Sequence, residues 1–96
     1  MDKLLKIVPT TKFKKDMKRI SKQQKNRALL DDIVYMLQRK QALPPKNRDH
    51  ALTGNWNGFR ECHITPDWLL IYRVLDSLSV ELLEMVRTGS HSDLFS

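Results

Sequence analysis

The first 40 residues alternate between apolar and basic positions in a pattern that predicts a short strand followed by helices. Residues 4–8 (LLKIV) are apolar except for Lys6, which predicts a strand that stops at Pro9 with Lys6 facing outwards. Thr10 or Thr11 is placed to cap a helix. Within that helix, apolar residues recur at helical spacing with lysines on the other faces, at Phe13, Met17 and Ile20.

A second amphipathic helix is predicted over residues 22–40, with Ser21 as its candidate cap. Its apolar positions recur with a 3.6-residue period, at Leu29, Leu30, Ile33, Val34, Met36 and Leu37. The two helices are expected to form a hairpin. Pro44 and Pro45 end this region, and residues 41–55 are predicted to be a polar connection that carries Asp49 and His50.

The rest of the chain has the pattern of a β-sheet. Strands are predicted over 58–65, 68–75 and 80–86, with turns at 65–67 and 76–77. Alternation in the first of these strands places Phe59, Glu61 and His63 on one face, and Arg60, Cys62 and Ile64 on the other. The second strand is almost continuously apolar, which is typical of a central, covered strand.

Residues 87–91 are expected to leave the sheet, and Leu94 and Phe95 to close the chain as an apolar pair. The order β-α-α-β-β-β predicts an α+β fold, with a mostly antiparallel sheet and a two-helix hairpin packed on one face.

Length and composition limit the class of protein. A chain of 96 residues suits a single domain over residues 1–96. Cys62 is the one cysteine, which excludes an internal disulfide framework and a cysteine-based zinc site. No apolar run approaches the roughly 18 residues of a membrane span, and the first residues lack the pattern of a signal peptide. We therefore expect a cytoplasmic protein that does not enter a membrane.

Positive charge is concentrated at the beginning of the chain. The formal net charge is +6, but residues 1–27 hold ten basic and two acidic residues, whereas residues 28–96 carry a net charge of −2. A basic segment of this kind favours a nucleic acid, a ribonucleoprotein or an acidic protein as partner. The same segment could equally be a solvated, lysine-rich helix face that binds no partner.

The groups able to do acid–base chemistry lie in the other segment. His50, His63 and His91 are the side chains suited to proton transfer near neutral pH, and Asp67 follows His63 in the next turn. Histidines in loops and at strand ends are often only polar surface. Their separations of 13 and 28 residues match no compact metal-binding motif, so we expect no metal ion.

Other motifs are missing from the sequence. It has neither a glycine-rich phosphate loop nor a G-x-S-x-G elbow, nor a set of acidic pairs suited to two metal ions. What remains is acid–base catalysis by histidine, with Arg87 available to stabilise negative charge. RNA transesterification fits this set because RNA supplies its own nucleophile, the 2′-OH.

The segment from Asp49 to Phe95 resembles the YafQ branch of the RelE/ParE toxin superfamily. The resemblance runs through most of the second half of the chain and is most specific in the closing stretch RTGSHSDLF. The matching positions are Asp49, His50, Leu52, Gly54, Trp56, Gly58, Arg60, His63, Pro66, Asp67, Trp68, Leu70, Ile71, Tyr72, Arg87, Thr88, Gly89, His91, Leu94 and Phe95.

This resemblance implies a bacterial type II toxin with a RelE-like fold. Such a toxin cleaves messenger RNA in the ribosomal A site without a metal or other cofactor, and a cognate antitoxin protein holds it inactive. The implied partners are therefore the 70S ribosome, mRNA and an antitoxin.

The resemblance also implies roles for particular residues. The catalytic set would be His50, His63, Asp67 and His91. His50 or His63 would act as the base on the 2′-OH, and His91 would protonate the leaving group. The RNA-binding set would be Arg87 on the scissile phosphate, Phe95 in support of the mRNA bases or the shape of the site, and Trp68 underlying the site. Ribosomal RNA would be contacted by Lys12, Lys14, Lys15, Lys18, Arg19 and Lys22.

Alternatives from other classes remain open at this point. A ParE-like toxin of the same fold acts by binding DNA gyrase and has no need of the histidines. The chain could also be a non-catalytic RNA- or protein-binding module that uses its basic helices, or a ribonuclease acting on free RNA. Phe95, Leu94 and Trp68 each have a simpler explanation as packing residues.

Overall fold

A computed structural model describes residues 4–95 and has an α+β architecture. Its helices are α1 (Thr11–Lys22), α2 (Arg27–Gln38) and α3 (His91–Phe95), and short 3₁₀ turns cover Pro45–Asn47 and Gly54–Trp56. Its strands are β1 (Lys6–Pro9), β2 (His50–Ala51), β3 (Arg60–Thr65), β4 (Trp68–Asp76) and β5 (Glu81–Gly89).

The five strands form one sheet in the order β1-β5-β4-β3-β2. Every pairing is antiparallel except that of β1 with β5, which is parallel. The predicted fold class is therefore confirmed.

The start of α1 agrees with the sequence pattern, and the start of α2 does not. The Thr10 side chain accepts a hydrogen bond from the Phe13 amide, which makes Thr10 the cap of α1. Ser21, the predicted second cap, lies inside the last turn of α1. The cap of α2 is Asn26, whose side chain accepts from the Ala28 amide, because the chain first turns through Gln24 at φ 57°.

The sheet differs from the prediction in several places. The first strand was predicted over residues 4–8, whereas β1 covers Lys6–Pro9. The connection over residues 41–55 contains β2, a two-residue strand paired to β3 through His50 and Ala51. The last strand does not end at residue 86, because Arg87, Thr88 and Gly89 stay paired with β4. Residues 87–89 were expected to leave the sheet, so that prediction is wrong.

The sheet has an apolar layer on each face. The face under α1 and α2 buries the main core, which includes Leu5, Phe13, Ile33, Tyr72 and Leu83. The opposite face buries Leu69, Ile71 and Leu94, with partly buried hydrophobic residues around them: Leu52, Trp56, Phe59, Val86 and Phe95. The helix hairpin thus packs on one face as predicted, while α3 and the second 3₁₀ turn contribute to the layer on the other.

Helix α1 takes over the edge of β5 where β1 ends. The last pair between β1 and β5 is Pro9 with Met85. Beyond it, the amide and hydroxyl of Thr10 donate to the carbonyls of Met85 (3.0 Å) and Val86 (2.8 Å). The Thr88 amide donates to Asp16 at 3.1 Å, and Arg19 donates to the Thr88 carbonyl at 2.9 Å. Thr10 and two side chains of α1 therefore satisfy the strand edge that a longer β1 would have paired.

No helix within residues 4–95 is long and apolar enough to cross a membrane.

Burial of Cys62 gives a test of the main core. The side chain is fully buried, and burial raises the pKa of its thiol to about 12. Because the thiolate is the reactive form, we expect no reaction with a thiol reagent such as dithionitrobenzoate in native protein at neutral pH, and full reaction after unfolding in urea. Rapid stoichiometric labelling of the native protein would contradict the placement of Cys62 in the core.

Candidate active site

Strand register places two of the predicted catalytic residues, His50 and His63, in neighbouring rows across the sheet. In one row His50 pairs with Glu61, Glu61 with Ile71, and Ile71 with Arg87. In the next, His63 pairs with Leu69 and Leu69 with Gly89. The strands lie about 4.8 Å apart, so two strand spacings, roughly 10 Å, separate His63 from Gly89. His91 follows Gly89 by two residues, at the same end of the sheet.

The histidines of β2 and β3 share the face that lies away from the helix hairpin. Leu69 and Ile71 belong to the apolar layer of that face. Residues directly opposite each other in an antiparallel pair point to the same side, so His63 and Glu61 point there too. His50 pairs with Glu61 and joins them. The register thus places His50 and His63 in neighbouring rows on one face of the sheet.

His50 is exposed, and one of its ring nitrogens is already committed. Nδ1 lies 2.6 Å from the carbonyl oxygen of Arg48. A carbonyl oxygen can only accept, so Nδ1 carries the hydrogen in this contact. In a neutral ring the other nitrogen, Nε2, then has a free lone pair. This arrangement suits a general base.

Asp49 anchors the start of β2. Its carboxylate accepts from the Tyr72 hydroxyl at 2.5 Å and from Arg60 Nε at 3.3 Å. Burial, followed by the hydrogen bond to Asp49, raises the pKa of Tyr72, so the phenol stays protonated and continues to donate. The backbone next to His50 is therefore tied to the two strands at the centre of the fold.

His63 lies between a buried carboxylate and the β3–β4 turn. Its Nε2 is 3.6 Å from Oε1 of Glu61, which is 6% exposed, and its Nδ1 is 3.4 Å from the Pro66 carbonyl. Asp67 follows Pro66 in that turn and is exposed. The expected proximity of His63 and Asp67 is thus supported by the contact of His63 with the turn that carries Asp67.

A basic cavity opens beside His63. It has a volume of about 160 Å³ and is lined by Lys46, Arg48, His63 and Pro66. Arg48 also provides the carbonyl that holds His50. His63 therefore lines a depression with cationic walls, which is suited to an anionic ligand.

α3 presents His91 and Phe95 from a capped first turn. The Ser90 hydroxyl accepts from the Asp93 amide and the Asp93 carboxylate accepts from the Ser90 amide, a reciprocal capping box. These bonds with Ser90 lower the pKa of Asp93. The ring of Phe95 lies 4.9 Å from that of His91 and 6.2 Å from that of Trp56. Phe95 is partly buried against this aromatic group, so it shapes the surface next to His91.

Arg87 is held by a buried carboxylate on α1. Its Nε donates to Oδ2 of Asp16 at 2.7 Å and its Nη2 to Oδ1 at 3.1 Å, while Asp16 is 2% exposed. The pair raises the pKa of Arg87, so its guanidinium is permanently charged. Arg19 donates to the same carboxylate at 3.2 Å.

The structure corrects the RNA contact expected of Trp68. The indole is 1% exposed, so it cannot stack on a base. Its Nε1 donates to the Thr88 hydroxyl at 2.9 Å, and that hydroxyl donates to the Leu69 carbonyl at 2.7 Å. Trp68 therefore supports the strand that carries Arg87.

The basic residues of α1 fall into two groups. One group is exposed on the helix surface and comprises Lys12, Lys14, Lys15, Lys18 and Lys22. Arg19 is different, because its guanidinium contacts Asp16, the Thr88 carbonyl and Asp93, the last at 3.6 Å. Its contacts within the protein assign it a structural role.

Two residues of this region were not predicted from the sequence to have a role in the site. Glu61 lies beside His63 on the predicted face, but no role was given to it. Asp16 is an acid on the apolar stripe of a lysine-rich helix, between Phe13 and Ile20, and that position is the signal that could have identified it. Among the described residues, no three His, Cys, Asp or Glu side chains form a group that could hold a metal ion.

Comparison with known proteins finds a family and several relatives that match nearly the whole chain. A model for the family described as a bacterial toxin of type II toxin–antitoxin system, YafQ, matches residues 5–96. The mRNA interferase toxin YafQ of Escherichia coli K12 is 38% identical over 84 residues, which cover 86% of this chain and 87% of that protein.

Two solved structures are similar over nearly the whole chain. A chain of the E. coli DinJ–YafQ toxin–antitoxin complex has a TM-score of 0.85 at 35% identity, covering 97% of this chain and 99% of that one. A copper-bound mutant toxin from Helicobacter pylori has a TM-score of 0.88 at 39% identity, covering 96% of this chain and 100% of that one.

Proposed function

Because this chain belongs to the YafQ family of type II toxin–antitoxin toxins, we propose that it is a ribosome-dependent endoribonuclease that cleaves mRNA in the ribosomal A site. A relative named as an mRNA interferase supports the reaction class. The observation that carries the proposal is the register that brings His50 and His63 to one face and leads β5 to His91 at the same end.

The proposed reaction is a transesterification through the 2′-OH of the RNA. His50 removes the proton of the 2′-OH with Nε2, the nitrogen left free by the contact of Nδ1 with Arg48. The 2′-oxygen forms a bond to phosphorus while the bond from phosphorus to the 5′-oxygen breaks. His91 gives a proton to that leaving oxygen. The products are a 2′,3′-cyclic phosphate and a free 5′-OH.

His63, Asp67 and Arg87 complete the proposed site. His63 contacts both Glu61 and the turn of Asp67, which makes it a second candidate for the base or a stabiliser of charge. Arg87 binds the scissile phosphate and stabilises the negative charge that develops on it. The cavity lined by Lys46 and Arg48 gives the RNA backbone a basic approach to the histidines.

Two kinds of macromolecule are proposed as partners outside the site. The exposed lysines of α1 contact ribosomal RNA, since they lie on the helix layer, across the sheet from His50 and His63. An antitoxin protein with an acidic segment binds the same basic surface or covers the histidines. The complex of the E. coli relative with DinJ supports a partner of this class. A cytoplasmic location and a single domain over residues 1–96 remain predictions.

Loss of His91 tests the reaction. Primer extension on an mRNA translated in a purified system is expected to give codon-phased cuts with ribosomes and none without them. His91→Ala should lower the rate by about 10²–10⁴-fold, the usual contribution of an acid–base group. Gln41→Ala, an exposed change in the loop after α2, serves as the matched control and should cleave like the wild type.

Other outcomes of this assay point to other functions. Cuts on free RNA would favour a general ribonuclease, and no cuts with normal translation would favour a gyrase-binding toxin or a binding module. Metal independence needs a chelator that spares Mg²⁺, because ribosomes need Mg²⁺. Phenanthroline should leave cleavage unchanged. A loss of cleavage in its presence would contradict metal-free catalysis.

Salt dependence tests the lysine surface. If Lys14, Lys15 and Lys18 bind phosphates, changing all three to Ala should weaken ribosome binding and flatten the plot of log affinity against log salt concentration. The slope is expected to change by about 0.7 for each single-stranded phosphate that the variant no longer neutralises. Lys6→Ala removes one charge from an exposed position on β1 and is the control. An unchanged slope would remove the lysines from the ribosome interface.

Co-expression tests the antitoxin. A small protein encoded next to this chain should co-purify with it and relieve growth arrest. The His91→Ala protein should still bind it, because binding does not depend on cleavage. A neighbour that neither co-purifies nor relieves arrest would contradict this partner.

A further inference from the structure

We propose that Asp16 is a positioning residue of the RNA-cleaving site: it fixes the Arg87 guanidinium so that one edge remains for the substrate phosphate. This inference rests on the proposed function, in which Arg87 binds that phosphate. Asp16 lies on α1, outside the segment that carries the histidines, and its burial keeps it from touching RNA itself.

The carboxylate of Asp16 is saturated by donors. Oδ2 accepts from Arg87 Nε at 2.7 Å and from the Thr88 amide at 3.1 Å. Oδ1 accepts from Arg87 Nη2 at 3.1 Å and from Arg19 Nη1 at 3.2 Å. A carboxylate has about four acceptor positions, so each has a partner. The carboxylate therefore cannot rotate without breaking several bonds, and Arg87 is held with it.

The contact uses one edge of Arg87 and leaves the other. A guanidinium has five N–H donors in a rigid plane. Asp16 takes the edge formed by Nε and Nη2, and the edge formed by Nη1 and Nη2 lies outside this contact. That second edge matches two oxygens of a phosphate. The Arg87 side chain is 20% exposed, which leaves it accessible from outside.

Two guanidinium groups and two carboxylates meet at this junction, because Asp93 lies 3.6 Å from Arg19 Nε. Asp16 faces two guanidinium groups, Arg87 and Arg19, so its negative charge is not matched to Arg87 alone. Because the Arg87 guanidinium is already held before RNA binds, the entropic cost of ordering it on binding is lower.

The test is single-turnover cleavage on programmed ribosomes. Asp16→Asn keeps the size of the side chain but turns one acceptor into a donor that faces other donors. We expect the cleavage rate to fall by about 10²-fold, the cost of a small misplacement, with ribosome affinity unchanged. In an Arg87→Ala background, Asp16→Asn should change the rate by no more than about twofold.

Two controls separate positioning from stability. Ile33→Ala in α2 removes a buried side chain from the main core, which lowers the stability of the fold, and it should cleave normally wherever it is folded. Asp31→Asn removes a carboxylate that is 64% exposed and should behave as the wild type. Wild-type cleavage by Asp16→Asn, or full additivity with Arg87→Ala, would overturn the proposal.

A measurement on the unaltered protein does not depend on a variant folding. The Nε–H of Arg87 should exchange with solvent several-fold more slowly than that of Arg27, which is 72% exposed. Equal rates would overturn the fixed pairing. If the wild type does not cleave mRNA, the proposed function fails. If it cleaves and Asp16→Asn cleaves equally well, only the role of Asp16 fails.

Discussion

The end of the sheet that carries the site depends on the buried carboxylate of Asp16. An ionised group taken out of water is costly unless donors surround it, and Asp16 receives them from Arg87, Thr88 and Arg19. Removing one partner of such a buried pair costs about 3–5 kcal/mol. The contact ties α1 to the last residues of β5, beyond the point where β1 stops pairing. Because β5 leads into α3, the contact lies three to four residues before His91 in the chain. Helix α1, which the sequence pattern presents as a basic surface, therefore also supports the strand that leads to the site.

The two faces of the sheet have different roles. The central strand β4 is buried on both faces over Trp68–Tyr72, so it separates two apolar layers. The hairpin layer supplies the main core and an exposed row of lysines on α1. The opposite layer is smaller and leaves the histidines accessible around Leu69 and Ile71. A small substrate would meet one face only. A large ribonucleoprotein can contact the lysines and the histidines at once, which is why a basic surface remote from the site is compatible with the proposed reaction.

Local patterns predicted most of the elements. The strand and the strand end that were not predicted depend on long-range contacts. The period of Phe13 and Ile20, and the continuous apolar run of β4, were sufficient for a helix and a central strand. The strand β2 has only two residues, His50 and Ala51, and its existence depends on pairing with β3, which no local pattern reports. The end of β5 was misplaced because Arg87 and Thr88 are polar, and polar residues normally mark an exit from a sheet. Their partners lie on α1 and β4, about 70 and 20 residues away in sequence. The histidines were identified by their chemistry and by family resemblance, whereas their placement came from register.

The Arg-Thr-Gly stretch at the end of β5 shows how packing and chemistry restrict the same residues. Arg87 pairs with Asp16. Thr88 joins Trp68 to the Leu69 carbonyl, because its hydroxyl accepts one hydrogen bond and donates another. At Gly89 an added Cβ would lie 2.6 Å from Arg19 Nη2, the atom that donates to the Thr88 carbonyl. A larger residue would therefore displace Arg19 and loosen the edge that α1 covers. Arg87 and Gly89 lie against residues of α1, and Thr88 contacts residues of β4. The chain then continues from this stretch to His91. The Arg-Thr-Gly motif is specific because its residues make the contacts that join β5 to α1 and β4. Asp16 on α1 belongs to this set of contacts as much as the three residues themselves.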